Sequence, residues 1–290
     1  MSSVCPRRGL VRYCGTPCSL LLLGVISLTA GGAERVLRIA ADPNNLPFSN
    51  ERREGFENRI AEIIGEELGA RIEYMWWPQR RGFFRETLGS GRADLVMGVP
   101  EGFERVLTTQ PYYTSSYFFV GRADGLPVSS FDDPALRGLT IGVQLAGDDG
   151  TNTPPAHALA QRGLVKNIRG YTLYGDYAQD SPPSRIIEAV AEGEVDVAVA
   201  WGPMAGFFAK RQRVPLRLLA VEPCDCPPLR FVFPISIGVA RNDPALRTEI
   251  DAVLVRRSAE IRRILDDYAV PRVEFTNARK EVRHATTRTN

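Results

Sequence analysis

Hydrophobic positions in this chain alternate between two periods. VLRIAA at 36–41, RIEYMWW at 71–77 and LVMGV at 95–99 are short apolar runs that predict strands. Between the first two, Phe56, Ile60, Ile63, Ile64 and Leu68 recur at helical spacing, and Gly69 ends that helix. A short helix through Phe83, Phe84 and Leu88, then the turn GSGRAD, leads into the third run. LTIGVQ (139–144), a helix around 155–163, NIRGYTLY, the helix SRIIEAVAEG and the strand VDVAVAW (195–201) repeat the scheme. Strands alternating with crossover helices imply an α/β protein whose parallel sheet is covered on both faces.

Two apolar stretches without that alternation, SSYFFVGR (115–122) and LRFVFPISIGVAR (229–241), read as joints between the two units. Two extended crossings imply two lobes around a cleft with a hinge at its base. Residues 34–118 and 236–275 make up the first lobe and 119–235 the second. A final helix from about Asp243 to Tyr268 packs back on the first unit, and residues 276–290 read as a disordered, basic tail.

Residues 1–33 carry Arg7, Arg8 and Arg12 without an acid, then SLLLLGVISLTA, then GGA. That order predicts a secretory signal peptide cut after Ala33, and the apolar run is short for a membrane span. Removing it takes the net charge from +2 to +2 − 3 = −1, so nothing argues for nucleic acid. Of the five cysteines, only Cys224 and Cys226 follow residue 33. In an oxidising compartment they are placed to pair, with free thiols or an intermolecular bond as the alternatives. One Cys pair with only His157 and His284 is a poor zinc set, so no metal or other cofactor is expected.

GFENRIAEIIGEELGA, SGRADLVMGV, TTQPYYTSSYFFVGR, LRGLTIGVQ, EGEVDVAVAW and ARNDPALRTEIDAVL together resemble the extracellular solute-binding family that feeds polar amino acids to ABC importers. The resemblance runs from about residue 36 to 272 and implies the two-lobed periplasmic binding protein-like II fold. DPNNLPFSN, WWPQRRGF, MGVP and LTTQPYY are similar to one branch, the binding-protein-like partners encoded beside PQQ-dependent methanol dehydrogenases, called MoxJ or XoxJ. That branch implies a periplasmic partner protein of such a dehydrogenase and of its cytochrome c.

The departures from the amino-acid receptors are informative. In those proteins an arginine nine residues before the PYY proline holds the ligand carboxylate by its planar fork. Counting back from Pro111 gives Gly102, with Arg105 three residues on as the only local substitute. A family acid that ends the VDVAVA strand meets the ligand's amino group; here Trp201 stands in its place. A cleft without either charge leaves a zwitterion poorly paired, at a cost of ~1–3 kcal/mol per unsatisfied group and more for charged ones.

By the family layout, Asp42, Asn45 and Phe48, then Phe56 and Glu57, then Trp76, Trp77, Arg80 and Arg81 are the first lobe's candidate cleft or partner contacts, with Met97, Pro100 and Tyr113. Gln144, Thr151 and Trp201 are those of the second. Thr151 lies in GDDGTNT, a turn whose amides either meet an anion or cap the following helix. Strand alternation turns Trp77 into the core and Trp76 the other way, toward a mouth edged by arginines. Trp, Tyr and Arg together favour contact with a protein segment. No phosphate loop, two-histidine metal motif or G-x-S-x-G elbow is present. The expectation is a binding protein and not an enzyme: an accessory factor of the dehydrogenase, or alternatively an importer's receptor for a small solute that is not an amino acid.

Overall fold

The computed structural model describes residues 34–145, 152–172, 177, 180–223 and 225–273, with only the backbone at 225 and 226. Strand β1 (Arg35–Ala41) enters a small hairpin, β2 (Asn44–Asn45) and β3 (Ser49–Asn50). Helix α1 (Phe56–Leu68) returns to β4 (Ala70–Trp76), and α2 (Phe83–Glu86) leads to β5 (Leu95–Pro100), β6 (Leu107–Thr108) and the long β7 (Tyr113–Arg122). The chain continues through β8 (Ile141–Leu145), α3 (Pro154–Gln161), β9 (Ile168–Thr172), α4 (Arg185–Glu192), β10 (Val197–Trp201), α5 (Gly202–Ala209) and β11 (Leu216–Ala220). Hairpin β12 (Asp225–Cys226) and β13 (Leu229–Arg230) precedes β14 (Val232–Val239), α6 (Pro244–Arg256) and α7 (Ser258–Asp267).

The strands follow the order β4-β1-β5-β14-β7-β10-β8-β9, with β11 beside β7 and β6 beside β14. β1, β4 and β5 are parallel, as are β8, β9 and β10. Both central strands run antiparallel to their neighbours. The early part of β7 pairs with β14, and its later part lies between β10 and β11, so β7 belongs to both halves of the sheet.

Each half is covered on both faces by apolar side chains. In the first, Leu37, Ile39 and Leu95 pack with Phe56, Ile60 and Ile64 of α1 and with Ile250, Val253, Ile261 and Ile264 of α6 and α7. Ala40, Phe83, Val96 and Val99 cover its other face. In the second half, Phe119, Leu136, Ile141, Leu159 and Val197 lie on one face, and Phe118, Val120, Ile186, Ile187, Met204 and Phe207 on the other.

Two sequence-based expectations change. The single helix from Asp243 to Tyr268 is two helices, broken at Arg257 (φ −98, ψ 14), whose guanidinium bonds Glu260 at 2.7 Å, Glu67 at 3.0 Å and Glu66 at 3.2 Å. Helix α5 was not expected: GPMAGFFA is apolar all round, so it carries no amphipathic period to read.

Candidate functional site

The turn after β1 is built around Asp42, which is 3% exposed. Its carboxylate accepts the amide N–H groups of Asn44 (2.8 Å) and Gln79 (2.6 Å) and the hydroxyl of Tyr177 (2.8 Å). The first two fix the hairpin and the segment after β4; the third comes from the second half of the sequence. Ser49 Oγ donates to the Asp42 carbonyl at 2.8 Å, and Asn45 Nδ2 to Gln79 Oε1 at 3.1 Å. The hairpin carries Leu46 and Phe48 against the second half's apolar cluster, while Phe48 also meets Phe56 at 5.4 Å between ring centroids. Asp42 and Asn45 are therefore consumed by the fold, and the hairpin occupies space between the halves.

Glu57 also departs from the expected cleft acid. It is 8% exposed at the start of α1, with its carboxyl over Gly98 of β5. Gly98 lies in a bulge at φ +68, and a Cβ there would come within 2.2 Å of Glu57 Oε1, so only glycine leaves room for the acid. Burial pushes its pKa up to about 8, against a smaller opposing effect of Tyr112. The Tyr112 hydroxyl, itself buried, faces the carboxyl without closing a well-formed hydrogen bond. Burial is the main cause raising Tyr112 and Tyr113 well above the usual phenol range, with the Glu57 charge adding to it. Phe56, Met97 and Tyr113 are core residues of the first half, so they support this region from beneath and do not line it.

The two tryptophans take opposite faces of β4. Trp76 stacks on Tyr74 at 4.6 Å with 13° between the rings, and the Arg53 guanidinium lies 5.1 Å over Tyr74. Trp77 packs with Phe84 and Leu88 against Ala40, Phe83 and Val96, with Arg92 at 5.9 Å over its ring. Its amide still donates to Ala41 O at 2.9 Å. Arg80 and Arg81 are exposed and make no side-chain hydrogen bond or ion pair among the described residues. Pro100, at the end of β5, is exposed as well.

Gly102 is exposed at φ +74, a conformation L side chains rarely adopt, so the turn is not shaped for the receptor arginine. Arg105 is exposed in the turn before β6 and has no ion-pair partner among the described residues. Trp201 ends β10 with its ring edge-on to Tyr117 (5.3 Å) and Phe233 (5.9 Å), so it covers the central strands β7 and β14. Its amide donates to Gln144 Oε1 at 3.2 Å, and Gln144 Nε2 reaches Met204 Sδ at 3.4 Å. Gln144 thus holds β8 to the start of α5 and is 2% exposed. Among the described residues no ring contact joins Trp76 to Trp201. Thr151, Cys224 and the side chain of Cys226 lie outside the described residues.

The sequence reading missed Tyr74, Leu46, Tyr177 and Tyr117. Tyr74 had a signal, since it stands two residues before Trp76 on one strand face. Tyr177 had none, being 135 residues from Asp42. Among the described residues no group of three or more His, Cys, Asp or Glu is placed to hold a metal ion, and no helix is long and apolar enough to cross a membrane.

A mixed sheet in two halves, joined through the shared strand β7 and flanked by helices, is the architecture of periplasmic binding proteins. It matches the crystal structure of MxaJ from Methlophaga aminisulfidivorans MPT at 27% identity and a TM-score of 0.69, covering 82% of this chain and 100% of that one. It matches the periplasmic binding protein XoxJ from Methylobacterium extorquens AM1 at 36% identity and a TM-score of 0.67, with the same coverage. Protein MoxJ of Methylorubrum extorquens is 31% identical over 246 residues, 80% of each chain. Residues 37–270 match the bacterial extracellular solute-binding proteins, family 3, and the chain belongs to that family. The family is one of solute-binding proteins, and XoxJ is a periplasmic binding protein, so the chain belongs with binding proteins and not with enzymes.

Proposed function

We propose that this protein is a periplasmic accessory factor that binds a PQQ-dependent methanol or alcohol dehydrogenase and assists its maturation or activation. Residues 1–33 are then removed on export, 34–118 with 236–275 act as one lobe, 119–235 act as the other, and the dehydrogenase's cytochrome c is a further partner. The observation that carries this reading is the hairpin between the halves, with Leu46 and Phe48 packed on the second half and Asp42 bonded to Tyr177. A receptor has to admit and release a solute between its lobes, whereas a docking protein presents its outer surface. Glycine at 102 and tryptophan at 201 further weigh against an amino-acid ligand, and the resemblance to the MoxJ and XoxJ branch favours the dehydrogenase.

Family membership also favours an importer-receptor reading, and a ligand screen tests its amino-acid form. A receptor with a micromolar constant gains ~2.7 kcal/mol at one hundred times that concentration, which is visible as a melting shift. None of the common amino acids at millimolar concentration is expected to shift this protein. One saturable stabilisation would restore the transport reading.

Docking is tested with purified dehydrogenase. Trp76→Ala is expected to weaken binding about 30-fold or more, since a hot-spot aromatic contributes ~2–4 kcal/mol, with the melting temperature nearly unchanged. Trp201→Ala is expected to cost stability too, because Tyr117 and Phe233 pack on that ring. Unchanged affinity in both variants would move the docking surface elsewhere.

A further inference from the structure

Strand β4 is an edge of the large sheet and pairs with β1 alone among the described residues, in unbroken register from Ala70 to Trp76. The Trp77 amide donates to Ala41 O, which fixes the alternation of the parallel ladder. Odd residues of β4 direct their backbone groups to β1, and the N–H and C=O of Tyr74 and Trp76 point away from it. Proteins commonly protect such an edge with charge, proline or a bulge. Arg71 and Glu73 do this for the first part of β4, but from Tyr74 to Trp77 there is no charged residue, proline or register break. That stretch is aromatic on both faces.

Guanidinium groups surround it. Arg53 lies over Tyr74 on one face, Arg92 over Trp77 on the other, and Arg80 with Arg81 follows the strand's end. Of the four, only Arg53 has an ion-pair partner among the described residues, Glu62 at 3.7 Å on an exposed pair. The chain's own last residues carry Arg279, Lys280, Arg283 and Arg288 against Glu281, so their charge does not suit this edge.

We infer that the β4 edge is a strand-addition site for an extended, carboxylate-bearing segment of the partner protein, which completes the outward hydrogen bonds of Tyr74 and Trp76 and sets its acids against the surrounding arginines. Main-chain pairing gives such a site affinity, and side chains on alternate faces give it selectivity. This deepens the docking reading above and rests on it.

Amide-resolved hydrogen exchange on the full-length secreted protein, with and without purified dehydrogenase, tests the inference. In the complex the Tyr74 and Trp76 amides are expected to slow at least tenfold, while those of Met75 and Trp77, already bonded to β1, change little. Arg80→Glu with Arg81→Glu is expected to weaken the complex at least tenfold at low salt, with the difference shrinking as salt is raised. A complex that forms while Tyr74 and Trp76 exchange freely overturns the strand-addition site and leaves the docking reading standing. Protection that grows with the protein's own concentration, without dehydrogenase, assigns the edge to a second copy and also overturns it. If no complex forms, both readings fall.

Discussion

Gly206→Val is expected to lower the melting temperature by about 10 °C, because residue 206 lies against the backbone of the segment that follows α7. A Cβ at this position would come 1.9 Å from the Ala269 carbonyl oxygen and 3.0 Å from Pro271 Cδ. That segment is anchored throughout. Tyr268 stacks on Phe207 at 5.6 Å and 11°, meets Phe56 edge-on at 6.0 Å, and its hydroxyl donates to Glu54 O. Val270 is buried, Ser115 Oγ donates to Pro271 O at 2.6 Å, and the Val273 amide to Thr114 O at 3.1 Å. The strap therefore holds α5, in the second half, to α1 and the start of β7. A valine has no flexible neighbour to push aside, so the strap has to lift. Overpacking costs ~1–3 kcal/mol, and occasionally more where backbone has to move. A loss of roughly 3 kcal/mol is therefore expected, and each kcal/mol lowers the melting temperature of a domain this size by about 2–4 °C. Scanning calorimetry of Gly206→Val beside Tyr268→Ala checks it. The tyrosine variant loses the stack without the clash, and a valine variant melting with the wild type would show that nothing rests on α5 at this point.

What was legible in the sequence follows from how local each cause is. β1, α1, β4, β5, β8 and β10 lie where the apolar runs and the 3.6-residue period put them, because a sheet covered on both faces buries its strands on both sides and its helices on one. Trp76 and Trp77 part to opposite faces for the same reason: adjacent strand residues do. Helix α5 carried no period, being buried among apolar neighbours on every side. The site was less legible than the fold. Asp42 reads as a free acid at a strand end, and only the fold brings Gln79 and Tyr177 onto it. Leu46 and Phe48 read as loop residues between prolines and asparagines, and no pattern announces that their hairpin packs on the second half. Gly102 reads as a missing arginine; its left-handed backbone adds that the turn itself has changed.

Glu57 illustrates the same limit and yields the second large expected effect. An acid in the first turn of a helix reads as favourable to the helix dipole and so as ionised. The notch left by Gly98 instead draws the carboxyl under β5, where loss of solvent outweighs the dipole and raises the pKa from 4.5 to about 8. The folded protein therefore holds this proton more tightly than the unfolded chain does. Its effect on stability is favourable at low pH, declines as pH rises through the interval from 4.5 to about 8, and is a constant penalty above it. A difference of that size corresponds to roughly 4–5 kcal/mol as a ceiling, reduced by any opening of the site to water. Glutamine keeps the shape of the protonated acid without its titration. Glu57→Gln is therefore expected to melt with the wild type near pH 4, below the unfolded-state value, and above it at pH 8.5, by several degrees. Glu57→Ala, which leaves a void, is expected to melt lower than Glu57→Gln at every pH. Parallel melting curves for wild type and Glu57→Gln across this range would mean that Glu57 is ionised in the folded protein and that water reaches the space beneath β5.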